Sequence, residues 1–239
     1  MKKFLFLTLL FVLTITLPAA DFSLSTGGGF YLGGHFTRYR ISFPIGETVS
    51  MSATQDMDQF NIGGYAFFDA TWVEFSVGVH TGLNSYNETM TSPYFMLNEG
   101  TGQETMLNFT LLGKYPFALN EKFTLFPLAG LEYHVALSQY RQPQGQERKS
   151  RTEEYNFDGE KYTLSYFNAM FIDLGAGMDF DLSTSIFFRT ELLYNIRLET
   201  RQEKDAQKQA RAGFGATGDS KLSGLSSGPT LRLGVGYRL

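Results

Sequence analysis

From Asp21 to Leu239 apolar and polar side chains alternate one by one, a period of two that demands extended strands and leaves little room for helices. In the first segment Phe22, Leu24, Phe30, Leu32 and Phe36 share one face, while Ser23, Ser25, Tyr31 and His35 share the other. Segments over 60–70 and 73–79 meet at Ala70-Thr71-Trp72, which leaves room only for a tight turn. Segments over 107–115 and 123–135 meet around Asn120 and Glu121, and those over 170–180 and 186–198 meet at Asp181-Leu182-Ser183-Thr184. The last segment ends the chain, with Leu231, Leu233, Val235, Tyr237 and Leu239 on one face.

Charge decides which face meets what. Asp69, Glu74, Lys114, Glu132, Asp173, Asp179, Arg189, Glu191, Arg197, Arg232 and Arg238 all fall on the polar face, and the other face is almost uncharged. A soluble sandwich or lipocalin-like barrel also alternates, but it has no reason to gather its charges inside and its apolar residues outside. Aromatic residues collect near the predicted strand ends, Phe68, Trp72, Tyr115, Phe180 and Tyr237 at one end and Phe36, Phe60, Tyr133 and Tyr194 at the other, as in interfacial girdles. Segments of about nine residues or more are long enough to cross a bilayer as tilted strands. The expected fold is all-β: an eight-stranded antiparallel transmembrane β-barrel with short periplasmic turns near 71, 119 and 183. Long extracellular loops are expected over about 38–58, 84–104, 138–166 and 199–228.

The first twenty residues have a different character. Lys2 and Lys3 precede an apolar stretch from Phe4 to Leu17 that closes on Pro18-Ala19-Ala20, the pattern of a cleaved export signal, so the expected division is 1–20 signal peptide and 21–239 barrel. Loss of Lys2 and Lys3 leaves 18 basic against 24 acidic residues in the mature chain. That acidity offers no cationic surface, and nucleic acid is excluded as a partner. With no cysteine the chain has no disulfide, no thiolate metal site and no cysteine nucleophile.

An eight-stranded barrel is only just wide enough for its own side chains or for one small ligand. Asp179 with Arg189 across the third hairpin, and Glu191 with Arg232 or Arg238 across the closing seam, are the expected interior ion pairs. Inward glycines such as Gly177 and Gly236 either leave a narrow lumen or make room for Phe126 and Phe187. Pro127 cannot donate a ladder hydrogen bond and is the candidate for a gap in the wall. His35, His80 and His134 also face inward, but they lie on alternate strands without a local ligand spacing, so neither a metal nor a cofactor is expected. Ser76 near His80 and Glu132 beside His134 suggest catalytic groups, yet no GxSxG motif accompanies them and no enzyme is expected. In the third loop Arg148, Lys149 and Arg151 are balanced by Glu147, Glu153 and Glu154, and the fourth offers a short helix from Glu203 to Arg211.

The segments GGYAFFDATWVEFSVG, FTLFPLAGLEY and GMDFDLSTSIFFRTELLYNIRL resemble small outer-membrane barrels of diderm bacteria, particularly the OmpW/OprG-like barrels described in spirochaetes. The carboxyl end, LRLGVGYRL, is similar to the alternating signal read by the barrel assembly machinery, with Leu239 where that pattern usually has Phe. The resemblance implies an outer-membrane location among lipid and a narrow porin-like channel for small solutes. In OmpW-like proteins small apolar solutes are thought to enter the barrel and leave sideways. The competing expectation is a surface-exposed adhesin or structural barrel whose extracellular loops meet a host surface ligand.

Overall fold

The computed structural model of the chain describes residues 23–45, 49–91, 96–143, 154–157, 160–198 and 221–239. Strands β1 (Leu24–Ile45), β2 (Val49–Ala70), β3 (Val73–Thr91) and β4 (Met96–Lys114) run as a meander, followed by the two-residue β5 (Phe117–Ala118). Then come β6 (Phe123–Pro143), a small hairpin of β7 (Glu154–Phe157) and β8 (Glu160–Thr163), a single 3-10 turn at Leu164–Phe167, and β9 (Ala169–Asp181), β10 (Ile186–Arg197) and β11 (Lys221–Arg238). All pairings are antiparallel, and β4–β6 together with β1–β11 close the eight long strands into a ring. This is the expected barrel.

Burial follows the sequence alternation. Phe30, Ile62, Leu83, Leu111 and Leu192 are exposed on the outside, whereas Tyr31, Asn61, Leu112, Leu193 and Arg232 are buried within. Side chains close the short turns. Thr71, at φ 52°, is held by a hydrogen bond from the Ser23 N–H to its Oγ1 (2.8 Å) and by its own hydroxyl donating to the Ser23 carbonyl (3.0 Å). The Asn120 Oδ1 accepts from the N–H groups of Lys122 and Phe123 at 2.9 and 3.0 Å, and the Ser183 Oγ accepts from Ser185 and Ile186 at 3.3 and 3.0 Å. Each supplies the local turn chemistry expected of Asn, Ser and Thr.

At the opposite end the expected loops need correction. The stretches 38–58 and 84–104 are mostly strand: β1 and β2 pair from Leu24 opposite Ala70 to Ile45 opposite Val49, and β3 and β4 reach Met90 opposite Met96. Beyond the membrane neither face needs to be apolar, so the alternation fades while the hydrogen-bonded ladder continues. At 22 residues β1 is about 70 Å long, roughly twice what a tilted crossing requires. The third loop begins later than expected, because β6 continues to Pro143. Residues 144–153 of that loop and the expected helix from Glu203 to Arg211 lie outside the described residues, as does the expected signal peptide.

One irregularity resets the pattern on β6. Thr105 pairs with Ser138 and Met106 with Ala136, so Leu137 is an extra residue in a β-bulge. Below it Glu132, His134 and Ala136 face inward; above it Gln139 does. On β11 the outward series Leu233, Val235, Tyr237 and Leu239 is exposed, and the Leu239 N–H donates to the Leu24 carbonyl at 2.9 Å.

If the outer face meets lipid, Leu192→Lys in the middle of β10 should cost about 2–4 kcal/mol in urea unfolding from vesicles. Leu182→Lys, in a periplasmic turn, should cost less than about 0.5 kcal/mol. Equal costs would contradict the assigned membrane face.

Candidate functional site

The inward polar residues form two layers. In the periplasmic half Arg189 is the centre. Its Nε and Nη2 fork onto Asp179 at 2.7 and 2.8 Å, Nη1 donates to Glu74 at 2.6 Å and Nη2 to Asp69 at 2.6 Å. Lys114 pairs with the same Asp69 oxygen from β4. Arg232 donates to Glu74 and Glu191 at 3.3 and 3.2 Å, and to the hydroxyls of Ser76 and Thr110 at 2.6 and 3.3 Å. Six of the eight barrel strands contribute to this layer, which ties opposite walls together.

Register explains why some of these pairs were legible. Arg189 lies directly opposite Asp179, and Glu191 opposite Arg232, as expected. Arg238 is different: it serves the rim, donating to Asp181 at 2.5 Å rather than to Glu191. The contacts across the bore, Arg189 to Asp69 and Glu74, link residues 120 and 115 positions apart.

Aromatic rings complete the layer. The Arg189 guanidinium lies 4.6, 5.3 and 5.0 Å from the ring centres of Phe67, Phe126 and Phe187, and Arg232 lies 4.6 Å from that of Tyr65. Such contacts favour a desolvated cation. Gly177 and Gly236 make the room for these rings: a Cβ at either would stand 2.2 Å from Phe126 or 2.1 Å from Phe187. Their use is packing, so they do not hold a lumen open. Leu112, Leu128 and Leu193 fill the space around Phe126.

The outer half carries the second layer. Glu132 accepts from the Asn108 amide at 2.9 Å and bonds His134 Nε2 at 2.7 Å. Asp173 accepts from Asn195 at 2.7 Å, and Thr230 donates to Asn195 at 2.6 Å. His80 meets Tyr31 and His134 edge-on at 5.3 and 4.9 Å between ring centres, while His35 lies parallel to His134 at 6.4 Å. The strands bearing the three histidines, β1, β3 and β6, are not neighbours, but the bore is narrow enough for their side chains to meet across it. The separation expected from strand order therefore does not hold. Arg197 stands nearer the mouth, beside Thr37 and Ser226, around a cavity of about 60 Å³; a smaller one of about 10 Å³ lies deeper.

Pro127 does not open the wall. It faces outward opposite Ala176, and the β6–β9 ladder runs without a break from Phe123 to His134. That pairing places the proline nitrogen on the β4 side, where the β4 ladder has already ended at Lys114 opposite Leu128. The interrupted ladder is elsewhere. Between β1 and β11 pairing skips from Gly33–Thr230 to Phe36–Ser227, because Pro229 has no N–H for the Gly34 carbonyl. The strand expected from the alternation begins after Pro229, which leaves the interruption outside it. Beside Gly34 the outer wall carries a recess of about 660 Å³, lined in part by Phe36, Phe60, Leu83 and Tyr140.

A closed antiparallel ring, apolar outside and ion-paired inside, defines an outer-membrane β-barrel. The family described as "Outer membrane protein beta-barrel domain" matches residues 7–238, and the chain belongs to it. That family places the protein in the outer membrane of a diderm bacterium. No curated protein matches the chain. Among solved structures it is similar to the outer membrane protein OprG from Pseudomonas aeruginosa, at 12% identity and a TM-score of 0.45, covering 91% of this chain and 96% of that one. It is also similar to Neisserial surface protein A, at 13% identity and a TM-score of 0.36, with 89% and 99% covered. A third, Ail of Yersinia pestis in complex with a heparin analogue, has 12% identity and a TM-score of 0.30, with 91% and 99% covered.

Removing Arg189 leaves the buried Asp179 without its cation and takes one of two from Asp69 and Glu74, so Arg189→Met should destabilise the barrel by about 3–5 kcal/mol in urea unfolding from vesicles. Arg238→Met, at the half-exposed rim, should cost less than about 1 kcal/mol. A similar small loss for both would show that the Arg189 layer is not integral to stability.

Proposed function

We propose that the protein is a barrel closed at its periplasmic end that releases small apolar or amphiphilic solutes sideways into the outer-membrane lipid. The observation that carries this reading is the position of the β1–β11 interruption above the Arg189–Arg232 layer. A solute entering from outside reaches the vestibule near Thr37, Met57 and Gln139 and meets ion-paired side chains below. The wall beside it lacks the hydrogen bond from Pro229, which lowers the resistance to parting β1 from β11 by about 0.5–1.5 kcal/mol. On the β1 side of the interruption, Gly34 and Phe36 line a recess whose apolar part is completed by Phe60 and Leu83 and whose outer part is polar, with Asp58, Asn84 and Gln103. The outward series ending at Leu239 is the surface through which the barrel assembly machinery would engage the chain.

A second reading is favoured by strand length. The β1–β2 and β3–β4 hairpins extend well past a bilayer's thickness and present a rigid surface for a host ligand. Neither reading invokes catalysis: the Ser76 hydroxyl accepts from Arg232 at 2.6 Å, and Ser76 and His80 stand four residues apart along β3, about 13 Å of extended strand.

The native chain has no cysteine, which permits a clean lock. Phe36→Cys with Ser227→Cys joins directly opposed positions across the interruption. In vesicles the reduced variant should take up a small apolar dye faster than protein-free vesicles, oxidation should bring uptake to the protein-free baseline, and reductant should restore it. A small sugar should stay excluded throughout. Dye uptake indifferent to the lock, or sugar flux equal to dye flux, would overturn the sideways route; no flux at all would leave binding by the outer hairpins.

A further inference from the structure

Inside the outer half, the histidines meet in a space too small for an organic solute. The deeper cavity beside them, about 10 Å³, holds an ion or a single water at most. His80 is buried, and neither of its ring nitrogens has a hydrogen-bond partner. The Asn108 amide oxygen also lacks one and approaches His80 without closing a bond. Buried polar atoms of this kind are uncommon and need a physical account.

The pairing of His80 with His134 suggests one. Two imidazoles that share a tetrahedral ion, each with a nitrogen about 2.0–2.1 Å from it, have ring centres about 5 Å apart. The two centres are 4.9 Å apart. His134 already gives Nε2 to Glu132 at 2.7 Å, which leaves Nδ1 as its second nitrogen. A carboxylate on the far nitrogen is the outer partner that fixes tautomer and ring orientation in histidine–metal sites. Among the described residues no three His, Asp or Glu side chains stand in a ready coordination shell, so a third ligand must be of another kind.

Met106 is that candidate. It is paired directly with His80 across β3 and β4, is buried, and lines the larger cavity together with His134. Two imidazoles and a thioether make a soft-to-borderline donor set, suited to copper and unsuited to magnesium or calcium. His35 stacks parallel to His134 and packs on Phe171 at 5.0 Å, an orientation that supports the ring without sharing its ion. Glu132, Asp173 and Glu104 offset the positive charge of Arg232 and Arg197 around the site, and a monovalent ion adds least to it. We propose that the lumen binds one cuprous ion through His80, His134 and Met106, with Glu132 as the positioning residue behind His134.

The test uses the untagged mature chain, refolded in detergent and judged folded by heat-dependent gel migration. Anaerobic titration with cuprous ion against a chromophoric cuprous chelator should show one equivalent retained, and X-ray absorption should show nitrogen and sulfur neighbours. Met106→Leu should remove the sulfur signal while the barrel still migrates as folded. His80→Ala should weaken retention strongly, and Glu132→Gln by about 10- to 100-fold. His35→Phe should leave the stoichiometry unchanged. Retention well below one equivalent by the folded wild type, a sulfur signal that survives Met106→Leu, or tighter binding of zinc than of cuprous ion would each overturn the assignment.

Discussion

Everything in this barrel depends on how it satisfies its buried charges. Eight strands enclose a bore with no room for bulk water, so every carboxylate turned inward needs a partner supplied by another side chain of the bore. Arg189 meets that need through its planar fork: one guanidinium reaches Asp179 on its own side and Asp69 and Glu74 across the bore, and three phenyl rings flank it. Lysine has no such fork, and Lys114 accordingly takes one carboxylate, Asp69. Removal of the whole network in favour of apolar residues need not destabilise the fold, but removal of one member does.

The same network divides the molecule functionally. Within and beside it, rings and leucines fill the bore around Phe126 and Phe187; above it, amides, hydroxyls and imidazoles line small cavities that lead to the mouth. Any traffic from outside therefore meets a floor. What lies above the floor is a wall with one missing hydrogen bond at Pro229, and hairpins that continue far beyond the bilayer. The proposed sideways release and the alternative of surface binding would thus draw on different parts of the same outer half.

Much of this was legible in the sequence, for a definite reason. Period-two alternation reports which face a side chain takes, and a short turn fixes the register of its two strands, so the Asp179–Arg189 pair could be inferred from the turn at 181–184. Contacts across the bore could not, because they depend on which strands stand opposite once the ring closes. That is why the reach of Arg189 to Glu74 and the meeting of His35, His80 and His134 were not foreseen. The outer strand ends look like loops in the sequence because hydropathy stops alternating outside the membrane, and Leu137 shifts the phase of β6 by a bulge that leaves no mark in composition. Pro127 and Pro229 look alike as residues. Only the pairing partners reveal that one faces a finished ladder and the other removes a needed bond.

The central claim is that the Arg189–Arg232 layer closes the barrel along its axis, and ionic conductance across a planar bilayer tests it most directly. The folded wild-type barrel should show no sustained unit conductance, because ions have no path between the outer vestibule and the periplasmic end. Stable, long-lived open-channel currents from the wild type would contradict it and would make the bore a conducting pore.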